Sequence, residues 1–349
     1  MPVTLETVLN EMYDRQATDL FLTTGVPPVM RIKGMLVPHE SERLSPEACQ
    51  KLIYSFLTDE MKEKFEREWE MDLSFGLAGK ARLRANVFRQ RGSAAAALRM
   101  IPEQVPTFEE LQLPKIVNDI VNMPKGLVLV CGSTGSGKST TLAAMIDYLN
   151  TNDPLHILTV EDPIEFLHHN KKSIVNQREV GPDTKSFANA LQYALREDPD
   201  VVLVGEMRSL ETIALALTIA ETGHLTFGTL HTTDAVQAIN RMIDVFPAHQ
   251  QGQIRSQLAT TLQAVICQQL IPTADGMGLA LAAEVLMLTA AIRNLILEEK
   301  VEQLYGFMQT GSESGMQTMN GALHRLFKER KITRDAAFAS SADPGELEK

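Results

Sequence analysis

The segment Gly132-Ser-Thr-Gly-Ser-Gly137-Lys138-Ser139 constrains the fold more than any other stretch of this 349-residue chain. It matches the pattern G-x-x-x-x-G-K-[ST] and follows the apolar run Leu127-Val-Leu-Val130. It also opens a stretch in which Leu142, Met145, Ile146 and Leu149 recur at the spacing of one helical face. In a strand, glycine loop and helix of this kind, backbone N–H groups wrap a phosphate chain and the helix N-terminus adds its dipole. Lys138 then reaches the outer phosphates, and the Ser139 hydroxyl is placed to hold Mg2+. The loop assigns Ser133, Thr134, Gly135, Ser136, Gly137, Lys138, Ser139 and Thr140 to a nucleotide, and it demands an α/β sheet around it.

The rest of residues 125–349 supplies that sheet. Ile157-Leu-Thr-Val160, Val201-Val-Leu-Val204 and Leu225 to Leu230 are apolar runs of strand length. They alternate with helical stripes such as Phe187/Ala190/Leu191/Ala194 and Ile213/Ala216/Leu217/Ala220. Past His249 the spacing of Ile254, Leu258, Leu262, Val265 and Ile266 predicts one long helix, followed by a strand over 279–288. Three features at strand ends carry chemistry. Glu206 leaves an apolar strand where a second acidic group faces the metal and the attacking water. Glu161, Asp162 and Glu165 crowd together, which repels unless a cation or a proton-transfer task offsets it. His224 and His231 bracket one buried strand, placed either to sense the γ-phosphate or to link neighbouring strands.

The first 101 residues differ in kind, reading as a small mixed α/β domain. Ser45-Pro46-Glu47 is a helix start, with a second helix over 59–70. Residues 71–77, 81–91 and 93–101 read as strands, and Arg82 and Arg84 share one face of the middle one. Prolines at 102, 106, 114 and 124 mark residues 102–124 as a linker with a short helix. Charge separates the two parts as well. The chain carries a net charge of −11, yet residues 1–101 balance 14 basic against 14 acidic groups. Between Leu73 and Pro102 lie Lys80, Arg82, Arg84, Arg89, Arg91 and Arg99 with no acidic residue, which calls for solvent or an anionic partner.

Composition narrows the class. With 44% hydrophobic and 22% charged residues the chain builds real cores. No apolar run approaches the ~20 residues of a membrane span, and no basic segment leading into an apolar run stands at the N-terminus, so a cytoplasmic protein is expected. Cys49, Cys131 and Cys267 are isolated, which excludes a zinc cluster and a disulfide framework. The net negative charge argues against a nucleic-acid partner.

The four stretches 132–139, 157–166, 200–208 and 222–235, in this order, resemble the secretion-type ATPases, and within them the twitching-motility ATPases that retract type IV pili. Ala291-Ile-Arg-Asn-Leu-Ile296 is similar to a short motif of that retraction branch. The resemblance implies a RecA-like P-loop motor domain over 125–349 with a C-terminal helical tail, preceded by a smaller PAS-like α+β domain over 1–101. It implies ATP and Mg2+, and a homohexamer at the inner-membrane face of a pilus machine, against a platform protein and possibly beside a paralogous ATPase. Glu165 becomes the general base for the lytic water, Glu206 the second acidic position and a metal neighbour, and His224 and His231 a histidine box. Arg84 and Arg99 fall where members supply arginine fingers. Two positions depart from the pattern. Phe21 stands where many members carry His, as the accessory retraction paralogue also does, and Ser209 stands where many carry Asp. Assembly and secretion motors on the same fold are the nearest alternative, and a nucleic-acid translocase is a distant one.

Overall fold

A computed structural model describes residues 4–32, 34–77, 80–101 and 104–347. The chain divides into two compact units, one of residues up to 104 with 165–167, the other of 105–164 and 168 onward. No helix among the described residues is long and apolar enough to cross a membrane.

The first unit is a six-stranded antiparallel sheet with helices Leu5–Asp14, Pro46–Tyr54 and Asp59–Glu68. Its strands are β1 (Asp19–Leu22), β2 (Val29–Ile32), β3 (Met35–Pro38), β4 (Glu70–Leu77), β5 (Ala81–Gln90) and β6 (Ser93–Ile101). They lie in the order β3-β2-β1-β6-β5-β4. Each helix starts on a hydroxyl cap, with Thr4, Ser45 and Thr58 accepting from Thr7, Ala48 and Met61 N–H; such a cap contributes about 1 kcal/mol. Alternation along β5 buries Leu83, Ala85 and Val87 among Val8, Met12, Phe65 and Leu98, and turns the arginines outward. The apolar run from Val29 folds into the β2–β3 hairpin, with Gly34 at φ +82°. Lys33, the residue before that glycine, lies outside the described residues.

The second unit is a seven-stranded sheet in the order β13-β12-β7-β11-β10-β8-β9. Its strands are β7 (Gly126–Cys131), β8 (His156–Glu161), β9 (Ile174–Glu179), β10 (Val201–Val204), β11 (Leu225–Leu230), β12 (Leu262–Pro272) and β13 (Leu279–Met287). All neighbours pair in parallel except β12 and β13. Alternation divides the apolar side chains between the two faces. Leu127, Leu129 and Cys131 of β7 enter a core with Ile213, Leu217, Ile239 and Leu258, whereas Val128 and Val130 enter another with Met145, Ile146 and Val117. The α/β class with a parallel motor sheet and a smaller N-terminal unit is therefore the architecture found.

Three details differ from the sequence reading. The stretch 105–124 is not a free linker: Phe108, Val117, Ile120 and Val121 are buried in the second unit's core, where an apolar surface outweighs the prolines. The long helix predicted past His249 ends at Thr261, and Leu262–Pro272 is strand β12, pairing with β7 on one side and β13 on the other. Helical and strand preferences differ by tenths of a kcal/mol per residue, while burying Val265 or Ile266 between two neighbours yields ~1.5–3 kcal/mol each. The polar edge strand β9 was not visible in the sequence pattern at all.

Candidate active site

The phosphate loop grows directly out of the central strand. After Cys131 the backbone takes φ +143° at Gly132, +80° at Gly135 and +90° at Gly137. At Gly132 crowding adds a second constraint: a Cβ there would stand 2.4 Å from Ser136 Oγ and 2.5 Å from the Gln268 carbonyl. Helix Lys138–Asn152 then begins on Gly137 with no side-chain cap, so its first N–H groups point into the loop unclaimed by any side chain. Lys138, only 8% exposed, folds over the loop and donates from Nζ to the carbonyl oxygens of Gly132 (2.7 Å) and Ser133 (2.8 Å). Ser136 Oγ is buried and has no hydrogen-bond partner. A buried ammonium on carbonyl oxygens, an orphaned hydroxyl and uncapped amides together form a cradle for a polyanion. Ser133, Thr134 and Gly135 are exposed, and Ser139 and Thr140 half-buried, along its rim.

The parallel strands bring further groups to the same edge. β11 is hydrogen-bonded to β7 and β10 to β11, so residues following these strands lie one and two strand spacings from the loop, ~5 and ~10 Å. Glu206, just past β10, is ion-paired with Arg208 and with His231 Nε2 at 2.9 Å. Thr229 Oγ1 donates to Gly205 O at 2.5 Å and Met207 N–H to Thr229 O at 3.1 Å, locking the two strand exits together. Gly205 is required here, since a Cβ would stand 3.0 Å from the Val160 carbonyl. Glu206 and His231 thus meet across two neighbouring strand exits.

His224 does not. Leu225 pairs with Gly126 at the start of β7, while Leu230 pairs with Cys131 beside the loop. The strand between them spans ~20 Å. His224 sits at the far edge of the sheet from its own chain's phosphate cradle, its Nδ1 lying 3.1 Å from the Ile219 carbonyl at the end of helix Leu210–Glu221. A strand that separates two residues by its full length does not bring both to one loop, and the His224 side chain contacts the end of the preceding helix.

The acidic cluster after β8 also separates. Glu161 accepts from Thr159 Oγ1 (2.6 Å) and Gln177 Nε2 (3.2 Å). Asp162 is exposed and joined to Pro163 by a cis peptide bond. Glu165 is exposed and falls in the short segment that belongs with the first unit.

In that first unit Arg84 and Arg99 are direct cross-strand partners on β5 and β6, both exposed. Asp19 on β1 holds Arg99 Nε at 2.9 Å.

Two supporting residues carried no sequence signal. Gln268 on β12, whose carbonyl closes in on Gly132, donates from Nε2 to Thr141 Oγ1 of the helix behind the loop, at 2.8 Å and 127 residues away. Glu284 on β13, 2% exposed, accepts from the backbone N–H groups of Ala235 (2.9 Å) and Met319 (3.3 Å), the first residues of helices Ala235–Asp244 and Met319–Lys328. Burial pushes the Glu284 carboxyl up to about 7, against the pull of those two donors.

No group of three His, Cys, Asp or Glu side chains capable of caging a metal occurs among the described residues. The donor set is Ser139 Oγ with Glu206 nearby, which fits Mg2+, an ion that keeps several waters and takes phosphate oxygens in place of a protein cage.

Comparison with known proteins gives the family. The family model described as type II/IV secretion system protein matches residues 2–322. The chain is 51% identical to the type IV pilus retraction ATPase PilT of Pseudomonas aeruginosa, over 94% of this chain and 95% of that one. It is 41% identical to the type IV pilus ATPase PilU of the same organism, over 98% of this chain and 90% of that one. A crystal structure of the pilus retraction motor PilT with bound ADP superposes with a TM-score of 0.94 at 51% identity, covering 99% of each chain. With a phosphate cradle at the carboxyl edge of a parallel sheet and this likeness along nearly its whole length, the chain belongs to the type II/IV secretion system protein family.

Proposed function

We propose that this protein is the ATP-hydrolysing motor of type IV pilus retraction. The observation that carries the reading is the cradle of Gly132 to Ser139, whose buried Lys138 and uncapped helix start suit a triphosphate. It occurs in a chain half identical to PilT over nearly its full length. The protein acts as a homohexamer at the inner-membrane face of the pilus machine, working against a platform protein and beside a paralogue of the PilU kind.

The chemistry asked of the chain is mostly positioning and charge stabilisation. Backbone amides of Ser133 to Thr140 and the Lys138 ammonium bind the β- and γ-phosphates. Lys138 already lies on the loop carbonyls, so it is oriented before the nucleotide arrives. Ser139 and Glu206 would hold Mg2+, which would neutralise phosphate charge; Glu206 already contacts Arg208 and His231. His231 lies where it registers the state of the γ-phosphate and passes it to Glu206. Glu165 accepts the proton of the attacking water, and Arg84 and Arg99 offset charge on the transferred phosphoryl. His224 has a structural role at the opposite edge. The domain divide is placed after residue 104, with 165–167 belonging to the first unit.

The test has two parts. The purified full-length chain should hydrolyse ATP, and its gene should restore twitching to a strain whose pili extend but no longer retract. ATP turnover without restored retraction would favour an assembly or secretion motor.

A further inference from the structure

Four consecutive cross-strand partners on the first unit's sheet are charged. Arg84 of β5 faces Arg99 of β6, Arg99 faces Asp19 of β1, and Asp19 faces Arg31 of β2. Directly opposed residues on neighbouring strands share a face, so three guanidinium groups and one carboxylate form a row ~15 Å long. Arg84 beside Arg99 is a like-charge pair, unfavourable unless an anion joins it.

The single carboxylate of the row is unlike its neighbours. Asp19 is 8% exposed, while the Arg99 side chain is 72% exposed. Asp19 Oδ1 takes the Arg99 Nε–H at 2.9 Å, Oδ2 lies 3.4 Å from Arg31 Nε, and Thr18 Oγ1 donates to Oδ2 at 2.8 Å. Arg99 is held through Nε and not through its terminal fork, whereas Arg31 also donates from Nη1 to the Gly34 carbonyl at 3.2 Å. A guanidinium anchored at Nε keeps its Nη1 and Nη2 donors directed away from the anchor, as a bidentate contact to a phosphoryl group requires. The adjoining Phe21 ring lies 5.5 Å from the Arg31 guanidinium carbon and steadies the second arginine.

We propose that Asp19 is a positioning residue for phosphoryl transfer: its buried carboxylate aims Arg99 at the triphosphate. The proposal rests on the reading that Arg84 and Arg99 act on the nucleotide, and the experiment separates the two. In the full-length protein, ATP turnover and binding of a fluorescent ATP analogue are measured for Asp19→Asn, Arg84→Ala, Arg99→Ala, Arg99→Lys and the doubles of Asp19→Asn with each Arg99 variant. Asp19→Asn should lower kcat about tenfold with KM and analogue affinity within about twofold, since only orientation in the transition state is lost. It should have no further effect once Arg99 is Ala or Lys. Arg99→Lys, at an exposed position and lacking Nε, should be as slow as Arg99→Ala, which carries the test even if Asp19→Asn does not fold. An unchanged kcat for Asp19→Asn beside a crippled Arg99→Ala overturns the role of Asp19 and leaves the arginine reading standing. So does an equal loss from Asp19→Asn in every background, the mark of a purely structural part, or full activity of Arg99→Lys. Wild-type turnover by both Arg84→Ala and Arg99→Ala overturns the arginine reading itself, and this proposal with it.

Discussion

Lys138 in the second unit is buried and rests on two carbonyl oxygens of its own loop, whereas Arg84 and Arg99 in the first unit are exposed and Arg99 is held by one neighbouring carboxylate. The difference is one of dielectric and of preorganisation. A buried ammonium over unclaimed amides interacts strongly with a phosphate and pays little reorganisation, while exposed guanidiniums are screened within ~8 Å at physiological salt. The same contrast holds for the acids. Glu284 is sealed in the second unit with two helix starts, whereas Glu11 and Glu66 of the first unit pair with Arg15 and Arg89 at its surface. The second unit thus holds a site that needs little from outside, and the first offers groups whose worth depends on what they meet.

The largest effect should come from the buried side of this comparison. Lys138→Ala should abolish ATP turnover, by about 10³-fold or more, because it removes the preorganised charge; undiminished hydrolysis by the purified variant would erase the contrast. Glu165→Gln should bind ATP normally and cleave it about 10²–10⁴-fold more slowly, the range for loss of a general base. If Glu206→Gln alone stops turnover while Glu165→Gln does not, the base belongs to the second unit. Raising salt from 0.05 to 0.5 M should lower kcat/KM severalfold through screening of the exposed arginine row, and an Arg84→Ala, Arg99→Ala double variant should lose most of that dependence.

The pH dependence sharpens the buried side. Glu284 has a folded pKa of about 7 against an ordinary value of 4.5, raised chiefly by burial. Its folded form therefore binds more protons than the unfolded chain between those values. The associated stability is complete below about pH 4.5 and is lost as pH rises through 7. Glu284→Gln should flatten the fall in melting temperature between pH 5 and 8, and a curve of unchanged slope would show that another group governs it. The smallest effect is expected from His224→Ala. It should leave turnover within about twofold, and cost about 1 kcal/mol of stability through the lost bond to the Ile219 carbonyl. A hundredfold loss of activity would return His224 to the nucleotide.

How much of this was legible beforehand follows from range. The phosphate loop could be read because its three glycines, lysine and serine act within eight residues, and because its flanking strand and helix each carry their own periodicity. The positions of Glu206 and His231 at strand ends were legible for the same reason, as each stands just past an apolar run. His224 misled because a bracketed strand shows two imidazoles but not which end lies at the loop. Residues 262–266 misled because an apolar run of that length fits helix and strand alike, and only insertion beside β7 decides. Gln268 and Glu284 left no trace, since their partners lie 127 and 49 residues away along the chain.

The sequence by itself determined that a glycine loop carrying Lys138 and Ser139 follows the strand ending at Cys131, that the sheet around it is α/β, and that the basic stretch lies in a separate, balanced domain. Those conclusions need only local spacing and local chemistry. Tertiary structure alone decided that residues 105–124 belong to the motor core and that His224 lies a strand's length from the phosphates. It also decided that Asp19 holds Arg99 by its Nε. Each of these depends on which strands become neighbours and in what register, and that is set by the summed burial of the whole sheet, a quantity no single segment contains.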